Sequence, residues 1–248
     1  MPFRAPVNEY KFIFEHVVNL SQVVATERYD EATPDVTDAI LTEAGRMCEE
    51  VMYPLLRGSD LNGATLENGV VRTSPGFGEA YKAIAEGGWI SMSASPEYGG
   101  MGLPLAVTHA VNEMMSAACL SLQLNPLMTQ GQIEALEHHA SDALKDVYLP
   151  KLMSGEWCGT MNLTEPQAGS DVGALSSKAV PNSDGSFAIS GQKIFISWGD
   201  NDFAENICHL VLARLPDGKP GCEEIKIKPL IWGQASLGKF KSKRPPKE

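Results

Sequence analysis

Apolar residues recur at helical spacing along much of the first 156 positions. Val36, Ala39, Ile40, Ala44, Met47, Val51 and Leu55 fall on one helical face, with Asp35 placed to cap the start and Pro54 and Gly58 marking the end. Residues 76–86 predict a shorter helix closed by Gly87-Gly88. Residues 103–118 carry Leu105, Val107, Ala110, Val111 and Met114 on one side, and 129–139 and 141–153 complete the helical set. Among them, Pro96-Glu97-Tyr98-Gly99-Gly100-Met101-Gly102 predicts a loop, because glycine accepts positive φ and lets backbones approach closely.

Near Trp157 the spacing turns extended. Residues 157–163, 177–180, 187–196 and 209–215 are short runs rich in β-branched or aromatic residues, parted by turns such as Asn182-Ser183-Asp184-Gly185-Ser186. Helices followed by strands, without βαβ alternation, predict an α+β fold: a helical N-terminal domain, then a truncated antiparallel β domain. No internal repeat is visible.

Composition narrows the class. With 248 residues, 43% hydrophobic and 21% charged, the chain can bury one large core or two modest ones. No stretch approaches the ~18 consecutive apolar residues of a membrane span. The opening Met1-Pro2-Phe3-Arg4-Ala5-Pro6 leads into charged residues rather than an apolar leader. Five cysteines, at 48, 119, 158, 208 and 222, show no C-x-x-C pair, which suits a reduced cytoplasm better than a disulfide framework. A formal charge of -11 argues against nucleic acid as a partner. The charge is uneven: residues 1–221 carry about -15 and residues 222–248 about +4, so the tail is foreign in composition.

The segment Trp157 to Asp171 runs a strand into a loop with hydroxyls, one proline and one glycine, which can aim N–H and O–H donors at a polyphosphate without a lysine. A plain strand-to-turn exit fits the same residues. Gly191 to Asp200 places Phe195, Ile196 and Ser197 in succession, able to line a flat ring system or to form an amphipathic strand with Phe195 in the core. His138 and His139, adjacent on a helix, project about 100° apart, wrong for one metal. No G-x-S-x-G elbow or Walker loop occurs, so hydrolase and nucleoside triphosphatase readings lack support.

Taken together, these segments resemble the acyl-CoA dehydrogenase family. Thr164-Glu165-Pro166-Gln167-Ala168-Gly169-Ser170-Asp171 is similar to its T-E-P-x-A-G-S-D signature, and Lys193-Ile194-Phe195-Ile196-Ser197 to its K-x-[WF]-I-[ST] strand. Pro96 to Gly102 resembles the P-E-x-G-G-x-G loop, and Tyr148 to Glu156 the Y-L-P-x-L-x-S-G-E lead-in. Gly76-Phe77, Gly87-Gly88-Trp89, Gly159-Thr160-Met161 and Glu205 to Arg214 are similar to the long subgroup that includes 3-methylmercaptopropionyl-CoA dehydrogenases. The resemblance spans about residues 3 to 221. It implies an N-terminal extension at 1–35, the helical N-terminal domain at 36–156, a partial β middle domain at 157–221, and a basic tail at 222–248 that departs from the family. A truncated or frame-shifted product is the simplest expectation, with the C-terminal helical domain absent.

The resemblance further implies FAD as cofactor, an acyl-CoA substrate dehydrogenated between Cα and Cβ, electron-transfer flavoprotein as acceptor, and a homo-oligomer. Carried over residue by residue, Met161, Leu163 and Thr164 would lie against the isoalloxazine, with Thr164 on its polar edge. Phe195, Ile196 and Ser197 would pack along its other side, and Ser170 would serve the pyrophosphate or the pantetheine end of the substrate. Trp198 departs from the smaller or polar residue usual there. No glutamate of this chain matches the catalytic base, so none is assigned. A non-catalytic binding or assembly module and an acyl-CoA oxidase fragment stay open as alternatives. A β domain cut at Gly221 is expected to leave a strand edge that recruits partners.

Overall fold

The computed structural model describes residues 2–216 and, as backbone alone, the strand at 225–232. Two short helices, α1 (Val7–His16) and α2 (Leu20–Val24), lead through a 3-10 turn, Glu27–Tyr29, to α3 (Pro34–Met47). Thr33, rather than Asp35, caps α3: its Oγ1 accepts from Val36 N at 3.4 Å, Pro34 occupies the first turn, and Asp35 adds favourable charge there. Pro54 does not end the helical path. A π turn at Cys48–Met52 widens the backbone, and α4 (Tyr53–Leu61) starts with Pro54 in its first turn, where the missing N–H costs little.

A hairpin follows that the apolar spacing did not show: β1 (Thr65–Glu67) pairs antiparallel with β2 (Val70–Arg72). Its turn is Asn68-Gly69, both at positive φ (52° and 81°), as a two-residue primed turn requires. That dipeptide is the sequence signal for it.

Helix α5 (Phe77–Glu86) matches expectation. The two helices expected at 103–118 and 129–139 are one, α6 (Leu105–His139), kinked at Cys119, whose φ of -159° and ψ of 85° are not helical. Helix α7 (Asp142–Met153) closes the set. Ile84, Ile90, Met92, Met114, Met115, Leu122, Leu149 and Leu152 are fully buried among them.

The second sheet contains β3 (Trp157–Asn162), β4 (Lys178–Pro181), β5 (Phe187–Ser190), β6 (Asn206–Arg214) and β7 (Ile225–Trp232). It is mixed, which corrects the wholly antiparallel expectation. Strand β3 runs parallel to β6, from Trp157 opposite Asn206 to Asn162 opposite Val211, and β4 meets β6 in parallel at Lys178 and Arg214. The β4–β5 and β6–β7 pairs are antiparallel. The chain between β3 and β6, residues 163–205, is long enough to carry it back to its starting end, as a parallel pair demands. The expected strand at 187–196 stops at Ser190, because Gly191 turns at φ 149° directly against Ser177. Past Gly221, where the β domain was expected to leave a strand edge, β7 pairs with β6 from Arg214 opposite Ile225 to Ile207 opposite Trp232. The expectation for the tail at 239–247 lies outside the described residues.

Helices and sheet share one core. It runs continuously from Leu41 and Met114 to Trp157, Cys158, Ile207 and Leu210. Helix α6 also satisfies strand groups directly: Gly159 N donates to Thr129 Oγ1 at 2.9 Å, and Gln132 Nε2 donates to Cys208 Sγ at 3.0 Å. No helix among the described residues is long and apolar enough to cross a membrane.

Candidate functional site

Beyond β3 the chain leaves the sheet through Leu163 and Thr164 and closes a tight bridge, Glu165 N to Ala168 O at 2.8 Å and Ala168 N to Glu165 O at 3.0 Å. This turn aims the Glu165 side chain inward, where only 2% of the residue meets solvent. Its carboxylate accepts from Ser176 N (2.6 Å), Ser176 Oγ (2.8 Å), Ser177 N (3.0 Å), Gln167 Nε2 (2.7 Å) and Lys193 Nζ (2.8 Å). Burial alone would raise this carboxyl, but the Lys193 ammonium and the donors of Ser176 and Ser177 outweigh it and hold it well below the usual carboxylate range. Glu165 therefore stays ionised and acts as a clamp, with no lone pair directed at a ligand.

The clamp joins the two segments that carry the candidate residues. Lys193 Nζ donates to Leu163 O at 2.9 Å as well as to Glu165, and Ile194 N donates to Thr164 O at 3.0 Å. Of the candidates Met161, Leu163 and Thr164, the last two are thus tied through their carbonyls to Lys193 and Ile194, which lead into Phe195, Ile196 and Ser197. The first three are half-buried, Ile196 is half-buried, and Ser197 is exposed. Phe195 is not a core residue: it is 88% exposed, on a backbone at φ 56°. An apolar ring held in water at a left-handed position, on a segment tied to the one that carries Leu163 and Thr164, suits stacking on a flat heteroaromatic ring with a polar edge. The residues present therefore fit a flavin. Ser170 stands exposed on the turn beyond Ala168 and shares no hydrogen bond with the others.

Within the sheet, two residues that the quoted motifs contain but to which they assigned no role form a pair. Thr160 Oγ1 donates to Asn162 Oδ1 at 2.8 Å and shares a hydrogen bond with His209 Nδ1 at 2.5 Å. Burial pushes the His209 imidazole down to about 4, leaving it neutral. The parallel register, which sets Thr160 opposite His209, makes this pair, and no local motif encodes it. Among the described residues no group of three or more His, Cys, Asp or Glu could hold a metal ion. Cys48, Cys119, Cys158 and Cys208 are free and buried, and burial pushes the Cys48 and Cys208 thiols up to about 12, which keeps them inert. Cys222 lies outside the described residues.

The acyl-CoA dehydrogenase N-terminal domain matches residues 35–156, and the acyl-CoA dehydrogenase middle domain matches residues 160–229. This chain belongs to the acyl-CoA dehydrogenase family. It is 47% identical over 227 residues to 3-methylmercaptopropionyl-CoA dehydrogenase of Ruegeria pomeroyi, covering 92% of this chain and 39% of that protein. In fold it is similar to butyryl-CoA dehydrogenase of Megasphaera elsdenii, with a TM-score of 0.66 at 22% identity over 79% of this chain and 48% of the other. It is also similar to PigA in its FAD complex, with a TM-score of 0.66 at 22% identity over 80% and 48% of the two chains. The chain thus spans about two-fifths of the length of the curated acyl-CoA dehydrogenase it matches at 47%. The middle-domain match runs on to residue 229, past the change of charge at Gly221.

Proposed function

We propose that this chain is the N-terminal and middle part of an FAD-dependent acyl-CoA dehydrogenase, with 3-methylmercaptopropionyl-CoA as the first substrate to test. The observation that supports the reading is the junction at Glu165 and Lys193, which ties the Leu163–Thr164 segment to the one that carries the exposed Phe195 and Ser197. The 47% identity to the Ruegeria pomeroyi protein supports the substrate, and the FAD complex of PigA supports the cofactor.

When bound, the flavin supplies the hydride-accepting chemistry. The chain's own residues bind and orient. Phe195 and Ile196 offer one apolar face, and Met161 and Leu163 the other. The hydroxyls of Thr164 and Ser197 hydrogen-bond the polar edge. Ser170, on its exposed turn, meets the pyrophosphate or the pantetheine end of the thioester. The general base that would remove the α proton is not assigned to any residue of this chain. Electron-transfer flavoprotein is the proposed electron acceptor, a homo-oligomer the proposed assembly and the cytoplasm its place. Residues 1–35 form an extension ahead of the two domains.

Titration with FAD tests the reading. Because the spanned residues enclose only part of the ring, saturation is expected at micromolar concentration or above, on the order set by partial burial. Flavin absorbance that never perturbs on mixing would overturn the cofactor assignment and favour a non-catalytic binding module.

A further inference from the structure

The residue that departs from the family pattern, Trp198, is also the one that ties the Phe195–Ser197 surface to the helices. Its Nε1 donates to Ser121 O at 3.0 Å, two residues beyond the kink of α6 at Cys119. Its ring lies 5.9 Å from Phe77 of α5 and 5.7 Å from Phe203, and Phe203 in turn sits 4.7 Å from Tyr81. Asp202 completes the attachment by accepting from Thr73 Oγ1 at 2.7 Å and Thr73 N at 3.3 Å.

The backbone shows what this attachment holds. Phe195 and Trp198 both sit at left-handed φ, 56° and 55°, and Gly199 N donates to Ile196 O at 3.0 Å, so residues 195–199 form a compact reversal. Bulky residues adopt that φ only under outside constraint. On one side the constraint is Ile194 N to Thr164 O; on the other it is the docked Trp198 side chain. Between these two anchors Phe195 and Ser197 project, one 88% exposed and the other exposed.

We propose that Trp198 is a positioning residue: it fixes the orientation of Phe195 and Ser197 relative to α6 by tethering their reversal to Ser121. The inference rests on the flavin reading given above for the function that the positioning serves, whereas the tether itself is a property of the chain alone.

Hydrogen–deuterium exchange of the full chain tests the tether without cofactor. Trp198→Phe keeps the aromatic contacts with Phe77 and Phe203 and removes only the N–H donor. The amides of Ile194 and Gly199 are expected to exchange about five- to tenfold faster in this variant, the effect of one lost hydrogen bond. Amides of the β4–β5 hairpin serve as the internal control and are expected to be unchanged. Equal rates at Ile194 and Gly199 in the two proteins would overturn the tether, and so would acceleration spread evenly to the hairpin. With FAD, the variant is expected to need several-fold more cofactor for half-saturation and to show an altered visible circular dichroism band. A variant that matches the wild type in both would overturn the positioning role. A wild type that takes up no FAD would overturn the cofactor reading, and the exchange data would then decide the tether separately.

Discussion

Replacing Lys193 by Met tests the clamp on which the candidate site depends. The variant removes two donations, to Glu165 Oε1 at 2.8 Å and to Leu163 O at 2.9 Å, and leaves a carboxylate that is almost wholly buried. Breaking a buried pair costs about 3–5 kcal/mol when the remaining charge has no other partner. Here Glu165 keeps Ser176 N, Ser176 Oγ, Ser177 N and Gln167 Nε2, so the loss is expected at about 2–3 kcal/mol. For a domain of this size that is about 4–12 °C in Tm, at roughly 2–4 °C per kcal/mol. Urea unfolding near pH 7 measures it directly. The acid dependence gives a second handle, since the Glu165 carboxyl is depressed in the folded chain from an ordinary value of 4.5. The stability it contributes is present above that value and is lost as pH falls below it. The gap between wild type and Lys193→Met should therefore narrow below about pH 4.5, and Glu165→Gln combined with Lys193→Met should cost less than the two single changes summed. A destabilisation below about 1 kcal/mol, the range of exposed ion pairs, would refute the clamp.

His209 gives a separate pH signature: it is neutral when folded, with its imidazole at about 4 against 6.5 unfolded, so stability falls as pH drops from 6.5 towards 4, by about 3 kcal/mol in all. Urea unfolding of His209→Gln should be flat from pH 6.5 to about 5, and an unchanged slope there would remove His209 as the cause. Gly159→Ala should cost about 1–3 kcal/mol in the same assay, because the added methyl meets Gln132 Oε1 and the Thr129 backbone where α6 covers β3; a neutral result would mean that Gln132 relaxes freely. Asp202→Ala, which strands the Thr73 N–H and hydroxyl, should cost about 1–2 kcal/mol, and a change within 0.5 kcal/mol, as for an ordinary surface site on this scale, would show that Asp202 contributes no attachment.

Helices α3, α5 and α7 were legible because each buries one face at the helical period, and strands β3 and β6, buried on both faces, as short apolar runs. The hairpin at Asn68-Gly69 carried a short signal that apolar spacing does not register. The limits of α3 misled because Pro54 reads as a terminator, and only a π turn makes room for it. Residues 191–196 look like strand by composition, yet contact between Gly191 and Ser177 turns the chain out of the sheet, a tertiary effect no local pattern holds. Thr164 and Ser197 were singled out as candidates by motif. Glu165 and Lys193 sat inside the same motifs but acquire their clamp role only when the chain folds back across a separation of 28 positions. The parallel register of β3 and β6, and with it the contact between Thr160 and His209, is settled by the crossover and is invisible in either strand alone.

The point in the sequence where helices give way to strands is not a place where the molecule can be divided. A cut between Glu156 and Trp157 would separate Thr129 from Gly159 N, Gln132 from Cys208, Tyr81 from Phe203 and Ser121 from Trp198. The helical half would be left with the polar groups of α6 facing a vanished strand, and the sheet with Ile207 and Leu210 stripped of cover. Neither half should survive as a soluble fragment, but the two expressed as separate polypeptides should find each other and restore a single folded body. Such a split pair would report on the integrity of this seam through reassembly itself, with no cofactor or substrate required.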